Sequence, residues 1–162
     1  MSADVLFFEE LKKHIKPVKG QTDVNITKLK RNSDILFLLL PEWAIDLPPY
    51  NIARLSAIVN EAGYTSSCLD LNVEVYQKSR SWEKDGIVPF DGFNPNNLTK
   101  WEINEYPKYL EKPVSKVLTP YIDKIVKANP KVIGFTVYYC NEGPVQWFAS
   151  ELRKRLPNTV FI

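Results

Sequence analysis

The sequence predicts an α/β fold in which a doubly wound parallel sheet carries helices on both faces. Residues 35–40, ILFLLL, form a continuous apolar run, as expected for a strand that is covered on both faces. Apolar residues then recur at helical spacing from Ile52 to Ala62, and a second short strand follows at residues 65–71. The alternation returns after residue 119, which indicates the right-handed crossovers that build parallel sheets.

The first helix of this sheet is predicted to begin at Pro49 and to close at Gly63. Proline suits the start of a helix, and glycine suits the left-handed residue that often follows its last turn. The strand TSSCLDL then ends at Asp70, which completes a strand, helix, strand unit.

The second half of the chain repeats this pattern. Thr119 and Pro120 are predicted to cap and open a second helix, and Pro144 is predicted to open a third. Residues 131–137 form the third predicted strand, and residues 159–162 begin a fourth. For a sheet of this size we expect a three-layer, flavodoxin-like or Rossmann-like architecture with strand order 2-1-3-4.

Two segments lie outside the alternation. Residues 1–32 are predicted to form an amphipathic helix over 3–16 and a turn-rich linker with one edge strand at 23–29. Residues 73–113 contain four prolines and seven aromatic side chains, which is too aromatic for a disordered linker. We interpret this second segment as an ordered insertion with a helix at about residues 104–118.

Composition narrows the class of protein. The chain of 162 residues suits one domain, which we place at residues 33–162. A formal net charge of +2 predicts neither a nucleic-acid nor a membrane partner, and no run approaches the roughly 20 apolar residues of a membrane span. Cys68 and Cys140 lie far apart in apolar segments, which indicates a reducing, cytoplasmic location.

Ligands of doubly wound sheets bind beyond the carboxyl ends of the strands, where the strand order reverses. Here that point lies between the first and third strands, so the loop at residues 41–49 faces the loop at residues 138–143. The candidate binding residues are Trp43, Pro48, Pro49, Asp70, Asn72, Thr136, Tyr138, Asn141 and Glu142.

Most of these candidates also have a structural interpretation, which the sequence leaves open. The two prolines suit a helix start, and Asp70 and Asn72 suit side-chain hydrogen bonds to the backbone of their loop. Asn141 and Glu142 suit a cap for the third helix. The large side chain in the first loop, Trp43, suits either a ligand contact or packing on the insertion.

Catalytic and metal sites have little support in the sequence. Cys140 has no histidine base beside it, since the chain's one histidine is His14, so we interpret it as a packed thiol. Asp46, Asp70 and Glu142 would form an acidic metal site only if the fold brought them together. No GxGxxG or GxxxxGK[ST] motif occurs, so dinucleotide and nucleoside triphosphate sites of those types are not predicted.

The segment LFLLLPEWAIDLPPYNIARLSAIVNEAGYTSSCLDLN runs from a strand through a proline-containing loop and a helix to a second strand that ends Asp70, Leu71, Asn72. It resembles the start of the N-terminal cobalamin (B12)-binding domain of B12-dependent radical SAM proteins, whose second strand ends D-x-N. The segment NPKVIGFTVYYCNEGPVQWFASELRKRLPNTVFI is similar to that family's P-x-V-[IV]-G-[FI]-[ST] strand and following helix. The resemblance covers residues 33–72 and 115–162.

The resemblance implies a module that binds a corrinoid or a related ligand at the carboxyl edge of the sheet, without catalysis of its own. It also implies a domain truncated before the family's fifth strand and lacking the radical SAM barrel, whose CxxxCxxC motif is absent. Two cysteines cannot supply the three thiolates of that iron–sulfur cluster. The D-x-H-x-x-G motif is also missing, so a bound cobalamin would have no protein histidine ligand.

An alternative stays open, in which the chain is a non-catalytic interaction module that has kept the fold. The open edge of the fourth strand or the aromatic insertion would then form a homodimer. The partners we expect are therefore a corrinoid, a second copy of the chain or a radical SAM barrel. A stand-alone enzyme has the least support, because no acid–base or nucleophile constellation is present.

Overall fold

The computed structural model describes residue 29 and residues 31–45, 47–79 and 95–162. One parallel sheet forms the centre of this part of the chain, in the order β2-β1-β3-β4. Its strands are β1 (Ile35–Leu39), β2 (Ser66–Asp70), β3 (Val132–Thr136) and β4 (Val160–Phe161). The predicted α/β class and the predicted strand order 2-1-3-4 are both confirmed.

Helices join these strands. They are α1 (Tyr50–Glu61), α2 (Leu71–Ser79), α3 (Tyr106–Tyr109), α4 (Glu111–Ala128) and α5 (Glu142–Arg155), with short 3-10 helices at Pro95–Trp101 and Tyr139–Asn141. Within the described ranges, none of these helices has the length and apolar character needed to cross a membrane.

The sheet separates two apolar cores. Ile35, Phe37 and Leu39 of β1 pack with α1 on one face, and the side chains of Leu36 and Leu38 pack with α2, α4 and α5 on the other. Every residue of β1 is at most 2% exposed. Burial on both faces therefore explains why the strand is a continuous apolar run rather than an alternating one.

The start and the end of α1 follow the predicted signals. Pro49 immediately precedes the helix, and Gly63 follows it with a left-handed φ of 88°. The Gly63 and Tyr64 N–H groups donate to the carbonyl oxygens of Asn60 and Val59, at 3.0 Å each. This pair of bonds is a Schellman motif, in which glycine avoids the strain that a side chain would meet at positive φ.

The predicted helix boundary at Thr119 is wrong, because Thr119 and Pro120 lie inside the single helix α4. The Thr119 hydroxyl donates to the Ser115 carbonyl at 2.7 Å, so the hydroxyl satisfies a backbone acceptor one turn back. Pro120 is exposed, and its ring faces solvent rather than the core. The predicted helix at residues 104–118 is accordingly α3 and the first part of α4.

A helix that the sequence analysis did not predict, α2, begins directly after β2 and occupies residues 71–79, where the predicted insertion begins. Later in the insertion, Trp101 and Tyr106 are at most 1% exposed and belong to the larger core, so this described part is ordered as predicted. A Cβ at Gly143 would lie 2.3 Å from the Cβ of Tyr106, so only glycine fits where this segment meets α5. Helix α5 begins at Glu142, two residues before the predicted Pro144.

Several predictions fall outside the described residues. They are the helix at residues 3–16, the edge strand at 23–29 apart from Leu29, and residues 80–94 of the insertion. His14 and Asp46 also belong to this group.

Candidate functional site

The loops that follow β1 and β3 meet at the carboxyl edge of the sheet, and Asn141 joins them. Its amide nitrogen Nδ2 donates to the carbonyl oxygens of Leu40 at 3.3 Å and Thr136 at 3.0 Å. Its oxygen Oδ1 accepts the Tyr138 N–H at 2.7 Å, and the residue is 0% exposed. Asn141 therefore binds the ends of both strands, and its side chain makes no capping hydrogen bond to α5.

Two further contacts hold these loops together. The rings of Trp43 and Tyr138 stack with centroids 4.4 Å apart and planes inclined by 18°. The Cys140 thiol lies 3.5 Å from the Glu42 carbonyl oxygen, to which it donates. Trp43 thus packs across the switch point against the other candidate loop, an arrangement that adds aromatic area to the site.

The end of β2 is fixed by Asp70 and Asn72. The Asp70 carboxylate accepts the N–H groups of Asn72 at 3.0 Å and Val73 at 3.3 Å, which caps the start of α2. Asn72 is 1% exposed, donates to the Trp43 carbonyl at 3.0 Å and accepts the Trp43 N–H at 3.1 Å. Burial raises the pKa of Asp70 in spite of these backbone hydrogen bonds. Both side chains therefore make the backbone hydrogen bonds that the structural interpretation expects, and a ligand contact stays a prediction.

Thr136, at the end of β3, has a partner that sequence analysis missed. The Asn51 side-chain nitrogen donates to the Thr136 hydroxyl at 3.0 Å. This bond attaches the first turn of α1 to β3, 85 residues later in the chain. No local pattern marks Asn51, because its role depends on the sheet bringing the two segments together.

The remaining candidates lie at the margin of the same edge. Pro48 is exposed and Pro49 is half-buried, and the Pro48 carbonyl accepts the Tyr50 N–H at 2.7 Å. Glu142 is exposed in the first turn of α5, where a negative charge interacts favourably with the positive end of the helix dipole. These three positions are accessible to a ligand, and the structure brings them to the edge that the sequence predicts.

Glu42 is another residue at this edge that sequence analysis did not single out. It is only 8% exposed, and its carboxylate makes no hydrogen bond or ion pair within the described part of the chain. Burial raises its pKa. Burial and then the nearby Glu42 charge raise the pKa of the Cys140 thiol, which keeps that thiol protonated and agrees with its interpretation as a packed side chain.

Exposed apolar side chains are concentrated at this edge of the sheet. Of the eight large apolar side chains that are exposed among the described residues, five lie in the loops after β1 and β3 or at the start of α1. We call these five residues the apolar rim: Ile45, Leu47, Tyr50, Val137 and Tyr139. Their exposed fractions run from 39% to 71%, and such a concentration of apolar surface at one edge is typical of a binding site.

No family model, curated protein or solved structure matches this chain.

The described residues of this edge offer little to a bare metal ion. Across the residues that the structure describes, no three His, Cys, Asp or Glu side chains are grouped so that they could hold one. Asp70 and Glu142 therefore do not belong to an acidic metal site with a third described residue. Among the described residues, the chemistry of the edge is instead that of an apolar surface with one buried carboxylate that has no hydrogen bond, Glu42.

Proposed function

We propose that this chain is a binding module, and that it holds a corrinoid or a related flat organic ligand against the carboxyl edge of its sheet. The apolar rim is the observation that carries the proposal. A solvated loop has no need of five exposed apolar side chains around a switch point, whereas a macrocycle would cover them.

The described residues fit part of such a ligand. The rim and the Trp43–Tyr138 stack offer apolar and aromatic area to the face of a macrocycle, and Glu42 offers an acceptor to an amide N–H. The polar atoms of Asn72 and Asn141 are already hydrogen-bonded within the protein. These two residues would therefore assist a ligand by holding the loops in position. A cobalamin would bring its own cobalt chemistry, and the chain's own contribution is binding.

The proposal assigns no catalysis to the chain alone. Cys140 is the thiol nearest to the site, and its raised pKa makes it a poor nucleophile. The Asp70 carboxylate caps the start of α2, and the Glu42 carboxylate is buried. Neither has a described histidine beside it.

Titration of the purified chain with hydroxocobalamin tests the proposal. We expect a shift in the visible spectrum and co-elution of the ligand in gel filtration. Tyr139→Ser removes a rim side chain that is 67% exposed, and we expect it to weaken binding about fivefold. Tyr109→Ser is the matched control, since Tyr109 is 57% exposed on α3 and is not part of the rim.

If the unmodified chain gave no spectral shift and no co-elution of the ligand, corrinoid binding would be ruled out. Equal weakening by Tyr139→Ser and Tyr109→Ser would show binding that does not depend on the apolar rim.

The second candidate function is an interaction module that forms a homodimer through β4. The Val160 and Ile162 N–H groups donate to β3, so the backbone groups of Phe161 between them point away from the sheet. Ile162 is 42% exposed beside this edge. Light scattering over a range of concentrations tests this candidate: a dimer that Ile162→Lys weakens is expected, and a constant monomeric mass would exclude it.

A further inference from the structure

We propose that Glu42 is the polar anchor of this ligand site, and that its carboxylate accepts hydrogen bonds from an amidinium or amide N–H group of the ligand. This inference rests on the proposed function, because it takes the carboxyl edge of the sheet as the place where a ligand binds.

Glu42 lacks the hydrogen-bond partners that buried polar groups normally have. The nearby buried amides of Asn72 and Asn141 have hydrogen bonds at both their oxygen and nitrogen atoms. Glu42 is more than nine-tenths buried, and in the described ranges its carboxylate has no hydrogen bond. A buried carboxylate without partners is costly, so a role for it is expected.

The carboxylate of Glu42 is buried but is still accessible to solvent. In the part of the chain that the structure describes, the only side-chain polar atom that is fully shielded from solvent and lacks a partner is the Tyr106 hydroxyl. The carboxylate oxygens of Glu42 also lack a partner, so they must touch solvent. An N–H group of a ligand can therefore reach the carboxylate, while the body of the ligand lies over the apolar rim.

The chemistry of the carboxylate determines which ligand groups can pair with it. A carboxylate has acceptors alone, so its complement is an N–H donor rather than a carbonyl or a second anion. The ion pairs within the described residues involve other carboxylates, those of Asp34, Glu105, Asp123 and Glu151. No described cation therefore competes for Glu42. An amidinium suits it best, because two parallel N–H bonds match both carboxylate oxygens.

Binding of benzamidine, which joins an aromatic ring to an amidinium, tests this assignment. We expect ligand-observed NMR to show benzamidine binding to the unmodified chain, whereas benzoate, which has acceptors in place of donors, does not bind. Glu42→Gln keeps the shape of the side chain and removes its charge, so benzamidine affinity falls about tenfold. Glu61→Gln is the matched control, because Glu61 is exposed at the far end of α1.

A second readout is the pKa of Glu42, followed by carbon-13 NMR of the side-chain carboxyl. Bound benzamidine lowers that pKa, because a cation beside a carboxylate favours its charged form. A residue that only supports the loop would show no such shift. An unchanged Glu42 pKa in saturating benzamidine would overturn the assignment.

The outcomes separate the inference from the proposed function. Benzamidine binding that depends on Glu42, together with no hydroxocobalamin binding, would support Glu42 as the anchor and exclude the corrinoid. Hydroxocobalamin binding that Glu42→Gln leaves unchanged would overturn the anchor and keep the corrinoid. Failure of both ligands to bind the unmodified chain would overturn both.

Discussion

The two ends of β1 carry buried carboxyl groups in opposite states. Asp34, just before the strand, is 3% exposed and accepts the Thr65 N–H, the Thr65 hydroxyl and the Lys131 ammonium at 2.9, 2.7 and 2.7 Å. Glu42, just after it, is 8% exposed and has no such partner in the described residues. The same strand therefore ends in a satisfied carboxylate at one edge of the sheet and an unsatisfied one at the other.

The pKa directions follow from this difference. Burial alone would raise the pKa of Asp34, but the hydrogen bonds from Lys131 and Thr65 outweigh it and hold the pKa below its ordinary value. At Glu42 burial acts without opposition, and the pKa is raised. We infer that the amino edge stabilises the fold, while the carboxyl edge gives up stability for a binding surface.

The largest effect is expected from Asp34→Ala, which removes the acceptor of all three bonds at the amino edge. Since hydrogen bonds to charged groups contribute most, we expect a loss of about 3 kcal/mol in the free energy of unfolding. Urea denaturation followed by circular dichroism measures it. Asp123→Ala is the control, because Asp123 and its partner Arg155 are both exposed and their pair contributes well under 1 kcal/mol.

The contribution of Asp34 to the free energy of unfolding should also depend on pH. A folded-state pKa below the unfolded value makes the Asp34 contribution complete above the unfolded pKa, near 3.8, and removes it as pH falls through the folded pKa. Asp34→Ala should therefore lower stability most at neutral pH and less in acid. Equal losses for Asp34→Ala and Asp123→Ala would contradict the contrast between the two edges.

A smaller loss is expected from Asn141→Ala at the carboxyl edge. The change leaves the Leu40 and Thr136 carbonyls and the Tyr138 N–H without their side-chain partner, which costs about 2 kcal/mol in the free energy of unfolding. Urea denaturation measures this loss beside Asn158→Ala, an exposed turn residue expected to change stability by at most about 0.5 kcal/mol.

A loss at Asn141 no larger than that at Asn158 would show that the two loops do not depend on Asn141. In that case Asn141 would not be what holds the loops after β1 and β3, and with them the apolar rim, in position.

The sheet could be predicted from sequence because burial on both faces of a strand produces a recognisable pattern in the local sequence. A fully buried strand is a continuous apolar run, and Gly63 marks the end of α1 through its backbone conformation. The boundary at Pro120 was wrong because proline opens helices far more often than it lies inside them. Helix α2 was missed because it follows β2 without an intervening turn residue.

The meeting of the two candidate loops was predictable from the sequence, but the contacts between them were not. Strand order fixes which loops meet, so the loops after β1 and β3 could be paired from the sequence. The bond from Asn51 to Thr136 spans 85 residues, and that from Asn141 to Leu40 spans 101. Glu42 looks like an ordinary loop glutamate until the loops pack around it. Contacts of this kind depend on tertiary structure, and no local spacing records them.

The smallest effect has the opposite sign. Glu42→Gln removes an unpaired buried charge, so we expect the free energy of unfolding to rise by about 1 kcal/mol at neutral pH. A carboxyl whose folded-state pKa is raised stabilises the fold while it is protonated, and that contribution is lost as pH rises from the unfolded pKa, near 4.5, through the folded pKa. The gain from Glu42→Gln should therefore appear across that window and vanish in acid.

Urea denaturation of the unmodified chain, Glu42→Gln and Glu61→Gln at several pH values from 3 to 8 measures this effect. Glu61 is exposed, so its change should leave stability within about 0.5 kcal/mol of the unmodified chain at every pH. A loss of stability in Glu42→Gln would mean that the carboxylate already has a partner within the folded chain. The carboxyl edge would then resemble the amino edge at Asp34, and the reason to expect a ligand N–H at Glu42 would disappear.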